Sequence, residues 1–347
     1  MRLLTLLARH GIERHADAID RLDAWFDQHL PAGQRDLVVS DTSLPAGHTE
    51  PLGPGRTLIG SSNAYWEFSA WDAAITYLGR RIDDYDVVHL ATSAFGALGT
   101  RHLERFDARI LGLMPGRRAV LGHIDHVRQP VHICGACSQA WVRSSWVFVA
   151  PQELCRLGSL VGISTSALLF SGDPAAPFQP EAPLSQNCRD DLVGWITGDG
   201  NGLGTSWHSR FDLTAATLGY FEAKALAILN EHLLSIRLRQ AGCTMVDATW
   251  LAARVSHLGP DRALERVPTW QWQVAAREVV LHKHLSRSVR AALVSGETAD
   301  IARQYGTAVG RQLLWQALRR DPALATTRPL VGALRRLHGL DRRRRSC

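Results

Sequence analysis

The sequence has no long uninterrupted hydrophobic run. No stretch approaches the roughly 20 apolar residues that a membrane-spanning helix needs, so we expect no part of this chain to cross a bilayer. The apolar run near the start, from Arg2 to Ala8, is short, and no small-residue cleavage site follows it. We therefore interpret it as a first β-strand rather than as a signal peptide.

Cysteine is also sparse, with six residues among 347. This number is too small for a dense disulfide framework, so we expect a reducing compartment, namely the cytoplasm. Cys134 and Cys137 have the CxxC spacing of a zinc or redox pair. Zinc takes about four ligands, however, and the sequence has no second CxxC. We interpret the two cysteines as a buried structural pair.

Net positive charge is absent from most of the chain. The formal net charge is +6, but residues 319–347 hold nine Arg and two Asp and so carry +7, which leaves −1 for the rest. The densest run consists of Arg342, Arg343, Arg344 and Arg345. Two interpretations stay open. One is a solvated terminus, and the other is peripheral contact with an anionic inner-membrane surface, to which each basic residue adds about 1 kcal/mol. No aromatic interleaving accompanies the charge, so we expect no nucleic-acid partner.

Alternating strand and helix patterns occupy the first third of the chain. An apolar run ends at Gly60, helical spacing follows, and a second apolar run from Tyr85 to Leu90 leads into the small-residue loop 91–96. Pro and Gly in residues 42–55 predict a loop before it. The order β-α-β-loop-β-α-β predicts a mostly parallel central sheet flanked by helices. Open sheets of this class bind ligands at the carboxyl ends of their strands.

Three later stretches bring polar or small residues together. Residues 122–126 hold two histidines and an aspartate, for which we favour a polar loop over a metal site. Residues 141–149 predict one strand that is polar near its start. The glycines of residues 198–204 invite a phosphate-binding interpretation, but the Lys-Ser/Thr ending of a P-loop is missing.

Composition also divides the chain. The Pro-rich stretch 173–184 is the clearest excursion, and strong helical periodicity from 213 to 240 ends at Gly242. We expect three parts: a first domain over residues 1–245, a helical C-terminal extension over residues 246–330, and a basic tail over residues 331–347.

Five short motifs follow one another in the first part. They are Ser40-Asp41, Asn63-x3-Glu67-Phe68-Ser69-Ala70-Trp71-Asp72, Tyr85-Asp86 leading into Thr92-Ser93-Ala94-Phe95-Gly96, Trp141 to Phe148, and, more weakly, Glu231-x3-Ser235. Their order and spacing resemble those of the bacterial polysaccharide glycosyltransferases related to rhamnan synthesis protein F, within the GT-A fold. The resemblance covers residues 1 to about 245.

The resemblance implies a GT-A-like enzyme that moves a sugar, such as the deoxysugar rhamnose, from a nucleotide-sugar donor to a polysaccharide or lipid-linked glycan. It implies donor contacts from Asp41, Asn63, Glu67, Trp71, Asp72, Thr92 and Ser93. It implies acceptor-side contacts from Trp141, Arg143, Ser144 and Ser145. A carboxylate must deprotonate the acceptor hydroxyl, and the candidates for this catalytic role are Glu231 and Asp125.

The sequence departs from the family at the fourth strand. GT-A enzymes usually carry an Asp-x-Asp there, which holds a divalent metal, whereas residues 91–94 contain no acid. Three alternatives stay open. Arg143 or Arg210 stabilises the diphosphate without a metal, or Asp125 or Asp199 holds Mn²⁺ or Mg²⁺. In the third, the chain is a non-catalytic nucleotide-sugar-binding or scaffold protein of a polysaccharide assembly complex.

Several of these residues also have a purely structural interpretation. Asn63 is as well suited to capping the next helix as to binding a ligand. Trp71 and Trp141 are equally suited to core packing, and Glu231 to a salt bridge on a helix. For Asp72 we favour function, because an acid beside a buried helix face needs a partner.

Overall fold

The computed structural model describes residues 1–281 except residues 14, 32, 98–99 and 199–210. The chain divides into two compact units, Met1–Ala248 and Thr249–Cys347, and the two are considered separately. Of the residues named above, Asp199, Arg210 and the four arginines of the tail lie outside the described residues.

The described part of the chain contains ten strands. They are β1 (Arg2–Arg9), β2 (Gln34–Asp41), β3 (Thr49–Gly53), β4 (Arg56–Gly60), β5 (Val87–Thr92), β6 (Ala119–Gly122), β7 (Ile124–Ile133), β8 (Ala136–Val142), β9 (Trp146–Val149) and β10 (Thr244–Asp247). Eight of them form one sheet in the order β10-β6-β9-β5-β1-β2-β4-β3, while β7 and β8 pair with each other.

Helices alternate with these strands. The first unit contains α1 (Ala18–His29), α2 (Glu67–Leu78), α3 (Ala108–Leu111), α4 (Pro151–Leu157), α5 (Gln186–Thr197) and α6 (Leu218–Gln240). Then follow α7 (Ala248–Leu258), α8 (Pro260–Ala263) and α9 (Trp270–Leu281). Among the described helices, none combines the length and the hydropathy that crossing a membrane requires.

Hydrophobic periodicity explains the elements around the sheet. In α1, Leu22, Trp25 and Phe26 are buried at the i, i+3, i+4 spacing of one helix face. In β1, six consecutive residues are buried, as expected for a central strand that is covered on both faces. The molecule is therefore α/β, with one large sheet flanked by helices, in agreement with the sequence prediction.

The prediction of a mostly parallel sheet was wrong, because the sheet is mixed. Strands β1, β2, β4 and β5 run parallel to one another, but β9 lies antiparallel between β5 and β6. The chain leaves β6 at Gly122, forms the β7–β8 hairpin, and re-enters the sheet from the opposite direction. An added Cβ on Gly122 would lie 2.3 Å from Val142 Cγ1, so this exit requires glycine.

Three local predictions also need correction. The predicted loop 42–55 contains β3, which pairs antiparallel with β4 through a short turn. The predicted polar loop 122–126 is the end of β6 and the start of β7. The single strand predicted over 141–149 is divided into β8 and β9 by a turn at residues 143–145. In these cases strand pairing, rather than local hydropathy, decides where each element begins and ends.

A second hydrophobic core lies between the β7–β8 hairpin, α5 and α6. The Pro-rich stretch belongs to it, since Phe178, Ala182 and Leu184 are buried there. Cys134 and Cys137, at the tip of the hairpin, are instead exposed and free. The prediction of a buried pair was therefore wrong, because Cys134 lies in the turn before β8 and Cys137 lies on β8 with its side chain exposed.

Strand direction places several loops at one edge of the sheet. The parallel strands β1, β2, β4 and β5 end there, and the antiparallel β9 begins there, with Ala91 opposite Trp146. The turn that precedes β9, Arg143 to Ser145, therefore lies beside the carboxyl ends of the parallel strands. We call this the carboxyl edge.

Candidate functional site

Two glutamates converge on one serine at the carboxyl edge. Glu67 is the first residue of α2, and Glu231 lies in the middle of α6. The Ser144 hydroxyl donates to Glu67 Oε1 at 3.1 Å, and the Ser144 backbone N–H donates to Glu231 Oε1. Ser144 is buried, whereas both glutamates keep partial exposure. The structure thus brings together three of the residues named from the sequence.

Helix α6 holds the end of β8 through a short ladder of hydrogen bonds. Trp141 Nε1–H donates to Glu231 Oε2 at 3.1 Å, and Val142 N–H donates to Ser235 Oγ at 2.9 Å. Glu231 and Ser235 lie four residues apart, so they share one helix face. The Glu231-x3-Ser235 motif therefore fixes the segment that carries Ser144.

The Glu231 carboxyl has an unusual electrostatic environment. Burial raises its pKa to about 7, and the negative charges of Asp125 and Glu67 act in the same direction. Hydrogen bonds from Ser144 oppose this change. A carboxyl that ionises close to neutral pH is suited to accepting a proton during a reaction.

The Glu67 pKa is also raised, chiefly by burial. The Ser144 hydrogen bond and the positive charge of Lys224 counteract that increase. Glu67 and Glu231 therefore form a pair of like-charged groups whose ionisation is coupled.

Beside the pair lies an ion pair of Asp125 and Arg143. Arg143 Nε and one of its terminal nitrogens donate to the two carboxylate oxygens at 2.9 and 3.2 Å, and His123 Nε2 lies 3.4 Å from Asp125 Oδ1. Burial alone would raise the Asp125 pKa, but Arg143 and His123 hold it well below its ordinary value. Asp125 is therefore ionised at neutral pH and is a weaker base than Glu231.

Trp141 is packed inside the protein. Its side chain is 9% exposed, and its ring lies 3.9 Å from that of His232. His232 Nδ1 is 2.8 Å from Ser138 Oγ, and burial lowers the His232 pKa to about 3. Trp141 therefore contacts Glu231 through its indole N–H and leaves little surface for an acceptor sugar.

Three of the predicted site residues lie where β5 meets the turn. Thr92 N–H donates to Ser145 O at 3.3 Å, and Ser93 N–H donates to Ala8 O at 2.8 Å. These backbone contacts place the Thr92-Ser93 loop next to the turn that carries Ser144. The hydroxyl-bearing residues and the glutamate pair thus occupy the same edge.

Asp41, at the end of β2, is occupied by its own chain. Its carboxylate accepts hydrogen bonds from Gly11 N, Ser43 N, Ser43 Oγ and Arg9 Nε, all within 2.9 Å. Burial alone would raise its pKa, but these hydrogen bonds outweigh burial and lower it. Asp41 anchors the loops that follow β1 and β2.

Asp72 also has internal partners. It accepts hydrogen bonds from Ser159 Oγ and from Leu160 N and thereby fixes the loop that follows α4. Trp71 is fully buried and donates to Leu6 O and Ala91 O. Asn63 is exposed, and no side-chain hydrogen bond caps α2. None of these three side chains reaches the glutamate pair through a contact in the described structure.

The sequence interpretation did not assign Lys224 or Tyr220 to a site beside Glu67. Trp66 has a positive φ of 51°, which is rare outside glycine and is found at functional sites. Lys224 Nζ lies 5.4 Å from the centre of the Trp66 ring and 5.6 Å from that of Tyr220. The available signal was helical spacing, because Tyr220, Lys224 and Glu231 fall on one face of α6.

No group of three or more His, Cys, Asp or Glu side chains in the described residues is arranged to hold a metal ion. Of the two acids suggested as metal ligands, Asp125 is the one that the structure describes. Its carboxylate is paired with Arg143 and His123.

Comparison of the sequence with protein-family models gives no match. A search of curated proteins gives no match either.

Proposed function

We propose that residues 1–248 form a glycosyltransferase domain that uses a nucleotide-sugar donor. The observation that carries the proposal is the glutamate pair at the carboxyl edge, where α/β sheets bind ligands. One member, Glu231, has a pKa of about 7 and is held by two N–H donors. This is the group that sugar transfer to a hydroxyl requires.

The sheet is compatible with the proposal at the level of fold. Without the β3 arm, the strands follow the order 3-2-1-4-6-5-7 when numbered along the chain, and the sixth strand is reversed. Its parallel strands end at one edge, as expected for an α/β domain that binds a ligand there. Likeness of fold does not establish an activity, so the chemistry rests on the site residues.

In the proposed reaction, Glu231 takes the proton of an acceptor hydroxyl. The acceptor oxygen then bonds to the anomeric carbon of the donor, and the bond from that carbon to the diphosphate oxygen breaks. The nucleoside diphosphate leaves with the electron pair of that bond. Arg143 interacts electrostatically with Glu231, and we assign it to the departing diphosphate.

Glu231 is preferred to Asp125 as the base. Asp125 is neutralised by Arg143, which holds its proton affinity low, whereas burial and neighbouring acids raise that of Glu231. Asp125 is then the residue that orients Arg143. Asp41, Trp71 and Asp72 support the edge through internal contacts, which leaves Thr92, Ser93 and Asn63 for the donor.

Thermal-shift measurements with UDP-, dTDP- and GDP-sugars, each with and without Mn²⁺, test the proposal. A ligand at 100 times its Kd stabilises the folded protein by about 2.7 kcal/mol, so binding is visible without an acceptor. We expect at least one donor to raise Tm in the absence of metal. If no donor changes Tm, the alternative of a scaffold protein replaces the enzyme.

A further inference from the structure

Ser144 connects the two glutamates more closely than their positions in the chain indicate. Its hydroxyl donates to Glu67 and its backbone N–H donates to Glu231. Since both donors belong to one residue, the two carboxyls lie on the order of 8 Å apart or less. At this distance inside a protein, the charge of one acid affects the ionisation of the other by about one pH unit.

The surrounding charges come from four elements. Asp125 is on β7, Arg143 is in the turn before β9, and Lys224 is on α6 together with Glu231. His123, between β6 and β7, contacts Asp125, and His232, beside Glu231, is kept neutral by burial. Glu67 on α2 and Glu231 on α6 interact electrostatically with these charged groups.

Two of the three carboxyls in this cluster each have a cation as partner. Arg143 forms a two-point ion pair with Asp125. Lys224 attracts the charge of Glu67. Of the three carboxyls, Glu231 is then the one that forms no ion pair among the described residues, although Arg143 also interacts with it electrostatically. A carboxyl in that position holds a proton more strongly than usual.

We propose that Glu67 is a positioning residue whose carboxylate, held on Ser144 together with that of Glu231, strengthens the hold of Glu231 on its proton. Glu67 therefore belongs to the acid–base chemistry of the site rather than to donor binding. Loss of the Glu231 proton converts that residue into the base. The inference depends on the proposed function only where it calls Glu231 a base, because the effect of Glu67 on the Glu231 proton is a property of the resting protein.

The test is a pH titration followed by NMR of the full-length protein labelled with ¹³C at the glutamate side-chain carboxyl carbons. Glu231→Gln assigns the Glu231 signal. We expect Glu67→Gln to lower the titration midpoint of Glu231 by about one pH unit. Glu222→Gln, a neutralised acid on the same helix, is the matched control and leaves the midpoint unchanged. Coinciding midpoints in the wild type and Glu67→Gln overturn the proposal.

A second variant separates charge from structure. Glu67→Asp keeps the negative charge, so the Glu231 midpoint stays close to that of the wild type. If Glu67→Asp and Glu67→Gln shift the midpoint equally, the effect is structural and the proposal fails. This measurement needs neither donor nor acceptor. A protein that binds no nucleotide sugar but shows the charge-dependent shift retains the inference and loses the proposed function.

Discussion

Two sets of acidic residues occupy the same edge of the sheet and differ in their partners. Asp41 accepts four hydrogen bonds from nearby loops, and Asp72 fixes the loop after α4. Glu67 and Glu231 instead share one serine and lie beside a third acid. The charge of Asp41 is stabilised by the protein, whereas the charged forms of Glu67 and Glu231 are disfavoured.

The difference indicates how each set is used. Hydrogen bonds lower the pKa of Asp41, so its charge contributes to stability. Crowding and burial raise the pKa of Glu231 to about 7, so its charge costs stability and is available for chemistry. The same residue class thus anchors loops in the first set and, in the proposed function, transfers a proton in the second.

Removal of an anchoring acid gives the largest effect that we expect on stability. Asp41→Ala takes four hydrogen bonds from the loops and leaves Arg9 without its partner. Loss of one member of a buried ion pair costs about 3–5 kcal/mol, and we expect the free energy of unfolding in urea to fall by that amount. Asp190→Ala, at an exposed position of α5, is the control and changes it by less than about 0.5 kcal/mol. An Asp41→Ala protein as stable as this control would remove the distinction between the two sets.

Asp72→Ala should have a smaller effect. It leaves the buried Leu160 N–H without an acceptor, which costs about 1–3 kcal/mol. We expect lower stability in urea and faster proteolysis at residues 158–162. If Asp72→Ala keeps its stability and its resistance to proteolysis but binds a nucleotide sugar more weakly, Asp72 belongs to the donor site instead.

The pH dependence of stability sharpens the comparison. The folded-state pKa of Glu231 is about 7 against an ordinary value of 4.5. The stabilising contribution of Glu231 to folding is therefore complete below pH 4.5 and is lost as the pH rises through 7. The loss is about 3 kcal/mol at most. The low pKa values of Asp41 and Asp125 give contributions of opposite sign, which are present above their ordinary value of 3.8 and lost in stronger acid.

Glu67→Gln should reduce the loss of folding stability that accompanies a rise in pH. Because it removes a like charge from the pair, we expect the difference in unfolding free energy between pH 5 and pH 8 to shrink by about 1 kcal/mol. Urea unfolding at the two pH values, with Glu222→Gln in parallel, measures this change. An unchanged difference would mean that the pair is not coupled in the folded state.

Sequence patterns were sufficient for the helices and for the central strands. The i, i+3, i+4 spacing located α1, and long helical periodicity located α6. The reversed direction of β9 was not accessible in this way, because an apolar run of four residues has the same pattern in either direction. The hairpin at β3 was hidden for a related reason, since all five of its residues are exposed.

The same limit applies to the candidate site. Glu67 and Glu231 were selected from motifs, but their meeting at Ser144 depends on two segments that lie 77 and 87 residues away from that serine. The partners of Asp72 lie 87 and 88 residues away from it. Whether an acid anchors a loop or remains available for chemistry is decided by such distant contacts, which local spacing does not contain.

The most direct test of the account compares nucleotide release by the wild type and Glu231→Gln. It uses the donor that the thermal-shift panel identifies, with an acceptor glycan present, and Glu222→Gln as control. General base catalysis contributes about 100- to 10,000-fold, so we expect Glu231→Gln to release the nucleoside diphosphate at least about 100-fold more slowly while binding the donor as before. Equal rates in the two proteins would contradict the assignment of the glutamate pair to catalysis.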